Sequence, residues 1–244
     1  MKIKAIQKLT LLDFPNRTAA TVFTCGCNLR CPFCHNASLV VGDRCPDGSM
    51  LFDEEAMVPE EEVFSLLEKR RGLLDGVAIT GGEPLLQPDL ADFIRKIKNT
   101  GFAVKLDTNG FLPERLEKLL AEGLVDYVAM DVKHAPEKYG LAAGIEGLSP
   151  EPFLRSIELI KNSGIEYEFR TTLVKGIHKT EDIAEIAKIV GEGSPYYIQM
   201  YVDSGDVLAN RDGSSGLCPF TAEEAEEVLQ AVREYNSGAK LRGI

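Results

Sequence analysis

Short apolar runs alternate with amphipathic helical stretches along most of this chain. Each run is rich in apolar or β-branched residues and is bounded by turn residues or charges, which indicates a strand. We therefore predict six strands, over residues 18–24, 76–80, 103–107, 126–131, 167–173 and 196–201. Nearly continuous apolar strands are typical of parallel sheets covered on both faces. The alternation predicts an α/β fold, a partial (β/α)6 TIM-type barrel, with an open doubly wound sheet as the alternative.

The stretches between the strands carry apolar residues at the helical period. Each stripe is expected to pack against the sheet. Two helix starts are also visible, because Thr221 and Glu224 have the spacing of a capping box and Ser149-Pro150 places proline at a first helical position. The stripes are Leu90, Phe93, Ile94 and Ile97; Leu116, Leu119 and Leu120; Ile183, Ile186, Ala187 and Val190; and Ala225, Val228, Leu229 and Val232.

The composition fits a globular protein with a large core, since 44% of the 244 residues are hydrophobic and 27% are charged. The formal net charge of −11 disfavours nucleic acid as the main partner. No apolar run is long enough to cross a bilayer, and the N-terminus lacks a signal-peptide pattern, so we expect a cytoplasmic protein without a membrane partner. No linker-like segment divides the chain, and residues 1–244 are expected to form a single domain.

The cysteines cluster just after the first predicted strand. Cys218 is distant, and the other five fall in one short segment: Cys25, Cys27, Cys31, Cys34 and Cys45. Three of them form C-x3-C-x2-C, a spacing that can hold three corners of a cubane iron–sulfur cluster and leave the fourth iron open to a substrate. A zinc site or a redox-sensing group of thiols is the alternative, and zinc would need a fourth ligand from Cys25 or His35.

Other polar motifs follow later predicted strands. Parallel α/β folds carry their active sites at this carboxyl edge of the sheet. The two glycines of TGGEP, residues 80–84, let the backbone approach a ligand closely. Taken alone, DTNG at 107–110 is typical of a tight turn. Taken alone, Asp131 and Lys133 of MDVK, residues 130–133, are typical of a structural ion pair. Arg170, inside the predicted fifth strand, needs a partner, which is either a ligand carboxylate or a core ion pair.

Together these motifs resemble the radical S-adenosylmethionine (SAM) superfamily. The cysteine motif, with Phe33 before its third cysteine, and GGEP match the pattern of that superfamily, and DTNG and D-x-K resemble activators of glycyl radical enzymes. The opening QKLTLLDFP, residues 7–15, is similar to that of anaerobic ribonucleoside-triphosphate reductase activating proteins, a group close to pyruvate formate-lyase activating enzymes. The resemblance covers nearly the whole chain.

The resemblance implies one [4Fe–4S] cluster held by Cys27, Cys31 and Cys34, with SAM bound at its open iron. Gln199 and Tyr201, on the predicted sixth strand, are placed to face the adenosine. Asp107 and Asp131 are also candidate ligands of a monovalent cation. The full predicted set of SAM contacts is Phe33, Gly81, Gly82, Glu83, Asp107, Asn109, Asp131, Lys133, Arg170, Gln199 and Tyr201.

The activity that the resemblance implies begins with one electron passing from the reduced cluster to SAM. The carbon–sulfur bond breaks, giving methionine and a 5′-deoxyadenosyl radical, which takes hydrogen from a glycine of a partner glycyl radical enzyme, anaerobic ribonucleotide reductase-like. Flavodoxin or ferredoxin is the expected electron donor. A radical SAM enzyme acting on a small molecule, such as 7-carboxy-7-deazaguanine synthase, is the alternative within the class.

Several residues depart from the pattern or lie outside it. Residues 199–202 contain no His, so the ribose contact is expected to differ from that of pyruvate formate-lyase activators. Cys25 is interpreted as a spare thiol. His134 and His178 are predicted to be solvent-exposed or turn residues. Residues 42–58 and 203–219 are predicted to be loops, either mobile loops or lids or ordinary surface loops.

Overall fold

The computed structural model describes residues 1–41, 43–44, 50–51, 56–203, 205–212 and 216–243. Six parallel strands form the centre of its main sheet, and they coincide with the six predicted strands. In sheet order they are β2 (Ala19–Thr24), β5 (Gly76–Gly81), β6 (Ala103–Thr108), β7 (Tyr127–Asp131), β8 (Glu166–Leu173) and β9 (Tyr196–Met200).

Two further strands extend the sheet at its edges. β1 (Ile3–Thr10) pairs antiparallel with β2, and β10 (Lys240–Arg242) pairs parallel with β9. In the described part of the chain these two edges do not pair with each other, as expected of a partial barrel. A separate two-stranded ribbon is formed by β3 (Asp43–Arg44) and β4 (Met50–Leu51).

The helices pack their apolar stripes against the sheet, as predicted, and of the stripe residues only Leu120 is partly exposed. The Thr221 capping box is present, and the Glu151 N–H donates to Ser149 Oγ at 3.4 Å one residue after Pro150. None of the described helices is long and apolar enough to cross a membrane. The helices are α1 (Ala37–Val41), α2 (Glu60–Lys69), α3 (Leu90–Asn99), α4 (Pro113–Ala121), α5 (Tyr139–Ala143), α6 (Glu151–Lys161), α7 (Thr180–Val190), α8 (Leu208–Asp212) and α9 (Ala222–Arg233).

The two faces of the sheet differ in chemistry. On β6, Val104 and Leu106 belong to the main apolar core, while Lys105 and Asp107 alternate with them and share the opposite face. The barrel interior is therefore polar toward the carboxyl ends of the strands, and the main apolar core lies between the sheet and the helices.

Phe14 closes the amino-terminal end of the barrel interior. It is buried in a small apolar cluster with Ala19, Tyr127 and Ala129, and Ala103 packs against this cluster. A Cβ added to Gly76 would lie 2.8 Å from the Phe14 ring, so the glycine makes room for the phenyl group. The residues around Phe14 are the first residues of their strands: Ala19, Gly76, Ala103 and Tyr127. The barrel interior is therefore filled at the amino-terminal ends of the strands and is free toward their carboxyl ends.

Candidate active site

A cavity of about 310 Å³ lies at the carboxyl ends of the parallel strands. Its walls come from the loop after β2 and from the last residues of β5, β6, β7, β8 and β9. Every predicted site residue except Glu83 and Tyr201 lines this cavity: Cys27, Cys31, Cys34, Phe33, Gly81, Gly82, Asp107, Asn109, Asp131, Lys133, Arg170 and Gln199.

The cysteine loop is held against the GGEP turn by backbone contacts. The Gly26 N–H donates to Leu39 O at 2.7 Å, and the Glu83 N–H donates to Gly26 O at 2.7 Å. A Cβ added to Gly82 would lie only 2.0 Å from Gly26 O, and Gly81 has φ +117. The two glycines are therefore needed because the turn passes directly against the cysteine loop.

A second contact fixes the far side of the cysteine loop. The Arg30 N–H donates to Ala143 O, the last residue of α5, at 2.8 Å. Gly144, which follows with φ +66, has no room for a Cβ because Arg30 O would lie 2.0 Å away. The loop between Cys27 and Cys31 is thus fitted to the end of a helix from another part of the chain.

The three motif thiols are close enough to affect one another's ionisation, and burial raises the pKa of Cys27 to about 11 and of Cys31 to about 12. Burial also raises the pKa of Cys34. The neighbouring Lys133 ammonium acts in the opposite direction on all three. Since a metal ligand is the thiolate, a buried cation beside three thiols suits a site where metal binding replaces their protons.

The donor set fits a cubane cluster. Cys27 Sγ accepts from the Leu29 N–H at 3.4 Å and lies 3.7 Å from Asn109 Nδ2, as expected of a sulfur that carries negative charge. Over the described residues, no group of three or more His, Cys, Asp or Glu side chains converges on the position of one metal ion. A cubane does not need that convergence, because each thiolate binds a different iron.

Asp107, Asp131, Lys133 and Arg170 form one charged network on the cavity wall. Arg170 donates from Nε to Asp131 Oδ1 at 2.8 Å and from a terminal nitrogen to Asp107 Oδ2 at 3.4 Å. Lys133 Nζ donates to Asp131 Oδ2 at 2.8 Å. Burial opposes ionisation of Asp131, but Arg170 and Lys133 hold its pKa well below the usual range. Arg170 therefore makes the ion pairs within the protein that were one of its two predicted roles. It also lines the cavity, where a ligand carboxylate, the other predicted partner, would reach it.

Glu83 and Tyr201 are the two predicted site residues that do not line the cavity. The Glu83 carboxylate is 1% exposed and accepts from the Asn109 N–H at 2.7 Å, the Thr108 hydroxyl at 2.9 Å and the Leu85 N–H at 3.1 Å. Burial raises its pKa to about 7. Glu83 thus joins the GGEP turn to the DTNG turn. Tyr201 is buried just beyond β9 and does not line the cavity.

The sequence interpretation missed three residues of this region. Lys105 is 2% exposed and makes an ion pair with Asp107. Asp13 and Thr172 line the cavity, and Asp13 also accepts a hydrogen bond of 2.6 Å from Thr21 Oγ1. The available signal was the spacing of two between Lys105 and Asp107, which puts both on the same face of a strand.

The prediction that His134 and His178 are solvent-exposed or turn residues is wrong about exposure and right about turns, since His134 lies in a bend after β7 and the His178 N–H closes the turn that begins at Val174. Both are buried and their rings stack, with centroids 5.0 Å apart. The Val174 N–H donates to His178 Nδ1 at 3.1 Å, so the ring proton is assigned to Nε2, which donates to Lys133 O at 2.8 Å. The His178 ring also packs edge-on against Phe33. Sequence alone does not show that the turn after β8 folds back onto the end of β7.

The remaining cysteines lie apart from the cavity or outside the described residues. Cys25 is buried, its Sγ lies 3.7 Å from Met57 Sδ, and it does not line the cavity. Cys218 is exposed, and Cys45 lies outside the described residues. The two predicted loops, 42–58 and 203–219, are described only in part, and Val207 and Ala209 of the second are buried rather than at the surface.

Comparisons with known proteins agree with this site. The sequence pattern of the radical SAM superfamily matches residues 21–190. A Methanocaldococcus jannaschii protein assigned as a glycyl-radical enzyme activating enzyme is 34% identical over 203 residues, 82% of this chain and 79% of that protein. Pyruvate formate-lyase-activating enzyme of Clostridium pasteurianum is 30% identical over 197 residues, 78% and 76% of the two chains. The 7-carboxy-7-deazaguanine synthase of Methanopyrus kandleri is 31% identical over 183 residues, 68% and 71% of the two chains.

Solved structures show the same fold. A domain of pyruvate-formate lyase-activating enzyme from Bacteroides vulgatus aligns with a TM-score of 0.53 at 18% identity, over 69% of this chain and 99% of that one. Streptococcus suis SuiB bound to S-adenosylmethionine aligns with a TM-score of 0.62 at 15% identity, over 90% and 49%. Since this family uses a [4Fe–4S] cluster and SAM, the match argues against the alternative of a zinc-binding or thiol redox-switch protein. With a [4Fe–4S] cluster and SAM as its cofactors, the chain is an enzyme that belongs to the radical SAM superfamily.

Proposed function

We propose that this protein activates a glycyl radical enzyme, with an anaerobic ribonucleotide reductase-like enzyme as the partner. The relatives from M. jannaschii and C. pasteurianum support the activase class, because each aligns over more than three quarters of both chains. The ribonucleotide reductase-like partner is suggested by the opening residues 7–15.

The observation that carries the proposal is the size and lining of the cavity. Its volume of about 310 Å³ lies near the lower end of the range for small-molecule sites, roughly 300–1,000 Å³. Outside the motifs and the predicted SAM contacts, the described residues that line it are Asp13, Phe23, His35, Asn36, Val40 and Thr172. This space suits one ligand of the size of SAM, with four polar side chains left for a second small molecule. A glycine on a protein loop needs no such recognition pocket.

In this proposal the charged network orients SAM. Lys133 and Arg170 bind its carboxylate, and Asp131 pairs with its amino group beside the backbone of Gly81 and Gly82. Phe33, packed against His178, provides the surface for the adenine, while Gln199 binds the adenosine from β9. Phe14 closes the amino-terminal end of the barrel and excludes water there. The partner's loop covers the cavity at the carboxyl ends of the strands.

When bound, the cluster and SAM supply one electron and a 5′-deoxyadenosyl radical. Cleavage of the S–C5′ bond and transfer of a hydrogen atom from the partner glycine to C5′ would give methionine, 5′-deoxyadenosine and a glycyl radical, so atoms and electrons balance. Cys27, Cys31 and Cys34 would hold the cluster, and the residues of the charged network would hold SAM.

The test uses the anaerobically reconstituted protein, reduced with dithionite, with SAM and purified anaerobic ribonucleoside-triphosphate reductase. The expected result is an electron paramagnetic resonance (EPR) doublet on the reductase, matched by an equivalent amount of 5′-deoxyadenosine. A reductase whose radical glycine is replaced by alanine is the control and should give no doublet. The predicted electron donor is tested by using flavodoxin or ferredoxin in place of dithionite, each together with the enzyme that reduces it.

A second candidate function is supported by the M. kandleri relative, which is 31% identical and is named for synthesis of 7-carboxy-7-deazaguanine. Mass spectrometry for that product in cells that express the protein distinguishes the two functions. Accumulation of 7-carboxy-7-deazaguanine, together with no radical on the reductase or on pyruvate formate-lyase, would refute the activase proposal.

A further inference from the structure

A short segment after β9 is bound to the cysteine loop; we call it the strap, residues 206–209. The Leu208 N–H donates to Cys34 O at 3.0 Å, and the Ala209 N–H donates to Pro32 O at 2.9 Å. Val207 and Ala209 are 1% and 2% exposed, so the strap is packed into the protein. It therefore holds the part of the cysteine loop that carries the last two cysteines of the motif.

Asp206 binds the same region through its side chain and its backbone. Its carboxylate Oδ2 accepts from the Ser38 N–H at 3.1 Å, and its backbone oxygen accepts from the Ala37 N–H at 3.3 Å. These N–H groups belong to the first turn of α1, which begins three residues after Cys34. A carboxylate from a distant part of the chain thus stabilises the start of this helix.

The same contacts bring a negative charge near one cysteine. The Asp206 carboxylate binds the N–H of Ser38, four residues after Cys34, and the strap binds Cys34 O two residues after Asp206. Uncharged N–H groups donate to both sulfurs, from Leu29 and Asn109 to Cys27 and from Asn36 to Cys34. The Asp206 carboxylate adds a full negative charge on the Cys34 side. Hydrogen bonds to cluster sulfurs and nearby charges are among the main determinants of an iron–sulfur reduction potential.

We propose that Asp206 is a positioning residue that fixes the cysteine loop through the strap and lowers the reduction potential of the bound cluster. Reduction adds one negative charge to the cluster, and a carboxylate beside Cys34 repels that charge in a site of low dielectric constant. A lower potential makes the reduced cluster a stronger donor of the electron that cleaves SAM. The proposal concerns the cluster alone, so it holds whichever substrate receives the radical.

The test is an EPR-monitored redox titration of reconstituted protein without SAM, comparing wild type with Asp206→Asn. The Asn side-chain oxygen still accepts from the Ser38 N–H, so the strap is retained while the charge is removed. At the potential where half of the wild-type clusters are reduced, we expect the ratio of reduced to oxidised cluster to rise roughly three- to tenfold. For this one-electron couple a tenfold rise corresponds to about 59 mV.

Three further variants separate the effect of charge from that of the fold. Asp206→Glu keeps the charge and should titrate close to wild type. Asp203→Asn removes a charge from the same loop and should leave the potential unchanged. Asp203 is exposed, and its carboxylate accepts from the Gly205 N–H at 2.8 Å and from Asn210 Nδ2 at 3.2 and 3.3 Å. In the apo protein, hydrogen exchange at Leu208 and Ala209 should be faster in Asp206→Ala than in Asp206→Asn.

Two results would overturn the proposal. One is a potential for Asp206→Asn equal to or below that of wild type. The other is loss of the cluster in Asp206→Asn, since this would show that the carboxylate is required for cluster assembly rather than for its potential.

Discussion

At the scale of single residues, the charges around Asp107 and Asp131 determine whether the site needs an added cation. Asp107 pairs with Lys105 and Arg170, and Asp131 pairs with Arg170 and Lys133. Each of the four carboxylate oxygens therefore faces a cationic side chain of the protein. The monovalent cation predicted from the sequence would have to displace one of these contacts.

Lys105→Met tests whether Lys105 takes the place of that cation. We expect wild type to have the same melting temperature in potassium chloride and in choline chloride at equal ionic strength. The variant leaves a buried carboxylate with one partner fewer, which should cost about 1–3 kcal/mol of stability, and potassium should restore part of it. A potassium-dependent melting temperature in wild type would contradict the assignment.

His178 gives a pH dependence whose sign follows from its burial. Burial lowers the pKa of His178 from 6.5 to about 4, so the unfolded chain binds more protons between these values. The contribution of His178 to stability is therefore present above pH 6.5 and is lost as the pH falls toward 4. His134 and Asp182 are the titratable groups that act on His178, and Lys133 contacts it through its backbone oxygen.

The variant His178→Gln can still donate to Lys133 O but does not titrate. We expect its free energy of unfolding, measured by urea titration, to fall less steeply between pH 6.5 and pH 4 than that of wild type. His35→Gln removes a histidine outside this contact whose pKa is also lowered by burial, so its effect on the slope should add to that of His178→Gln. Equal slopes for wild type and His178→Gln would show that the histidine pair does not control acid stability.

At the scale of elements, the sequence was sufficient for the regular core of the fold. The six central strands and the helix stripes follow from hydrophobic period, because each must bury a continuous apolar surface. β1 was missed because Lys4, Gln7 and Lys8 interrupt its pattern at an exposed edge, and β10 because three residues give no period. The contacts of the strap with Pro32 and Cys34 are backbone bonds between distant segments, for which side-chain identity gives no signal.

The contact between the GGEP turn and the cysteine loop makes a sharp prediction. Gly82→Ala places a methyl group 2.0 Å from Gly26 O, so the cysteine loop must move. We expect the variant to bind less than half of the wild-type iron after reconstitution, with little change in far-UV circular dichroism. Gly216→Ala, where a Cβ meets nothing within 4 Å, should retain full iron content. Wild-type iron content in Gly82→Ala would show that the loop tolerates the shift.

At the scale of the whole molecule, the stabilising core and the cavity are largely separate. The core lies between the sheet and the helices, whereas the polar groups of the site face the barrel interior. We therefore expect Cys31→Ala to abolish cluster binding while costing only about 1 kcal/mol of stability. Iron analysis and urea unfolding of the apo protein check both parts, and a variant that keeps its iron and SAM cleavage would refute the ligand assignment. That residues 1–244 form one domain stays a prediction.

The last strand connects the end of the chain to the charged network of the site. Arg242 donates two hydrogen bonds, of 2.9 and 3.1 Å, to Glu168, which is 1% exposed, accepts from the Tyr127 hydroxyl and lies 3.9 Å from Arg170. Arg242→Met leaves this buried carboxylate with weaker partners, and we expect a loss of about 2–3 kcal/mol in urea unfolding. Glu168 would then attract Arg170 away from Asp131, so the dissociation constant of SAM, measured by equilibrium dialysis on the reconstituted protein, should rise several-fold. Arg242→Lys keeps the charge and should lose less of both. An Arg242→Met protein with wild-type stability and SAM affinity would show that β10 only covers the sheet edge and does not support the site.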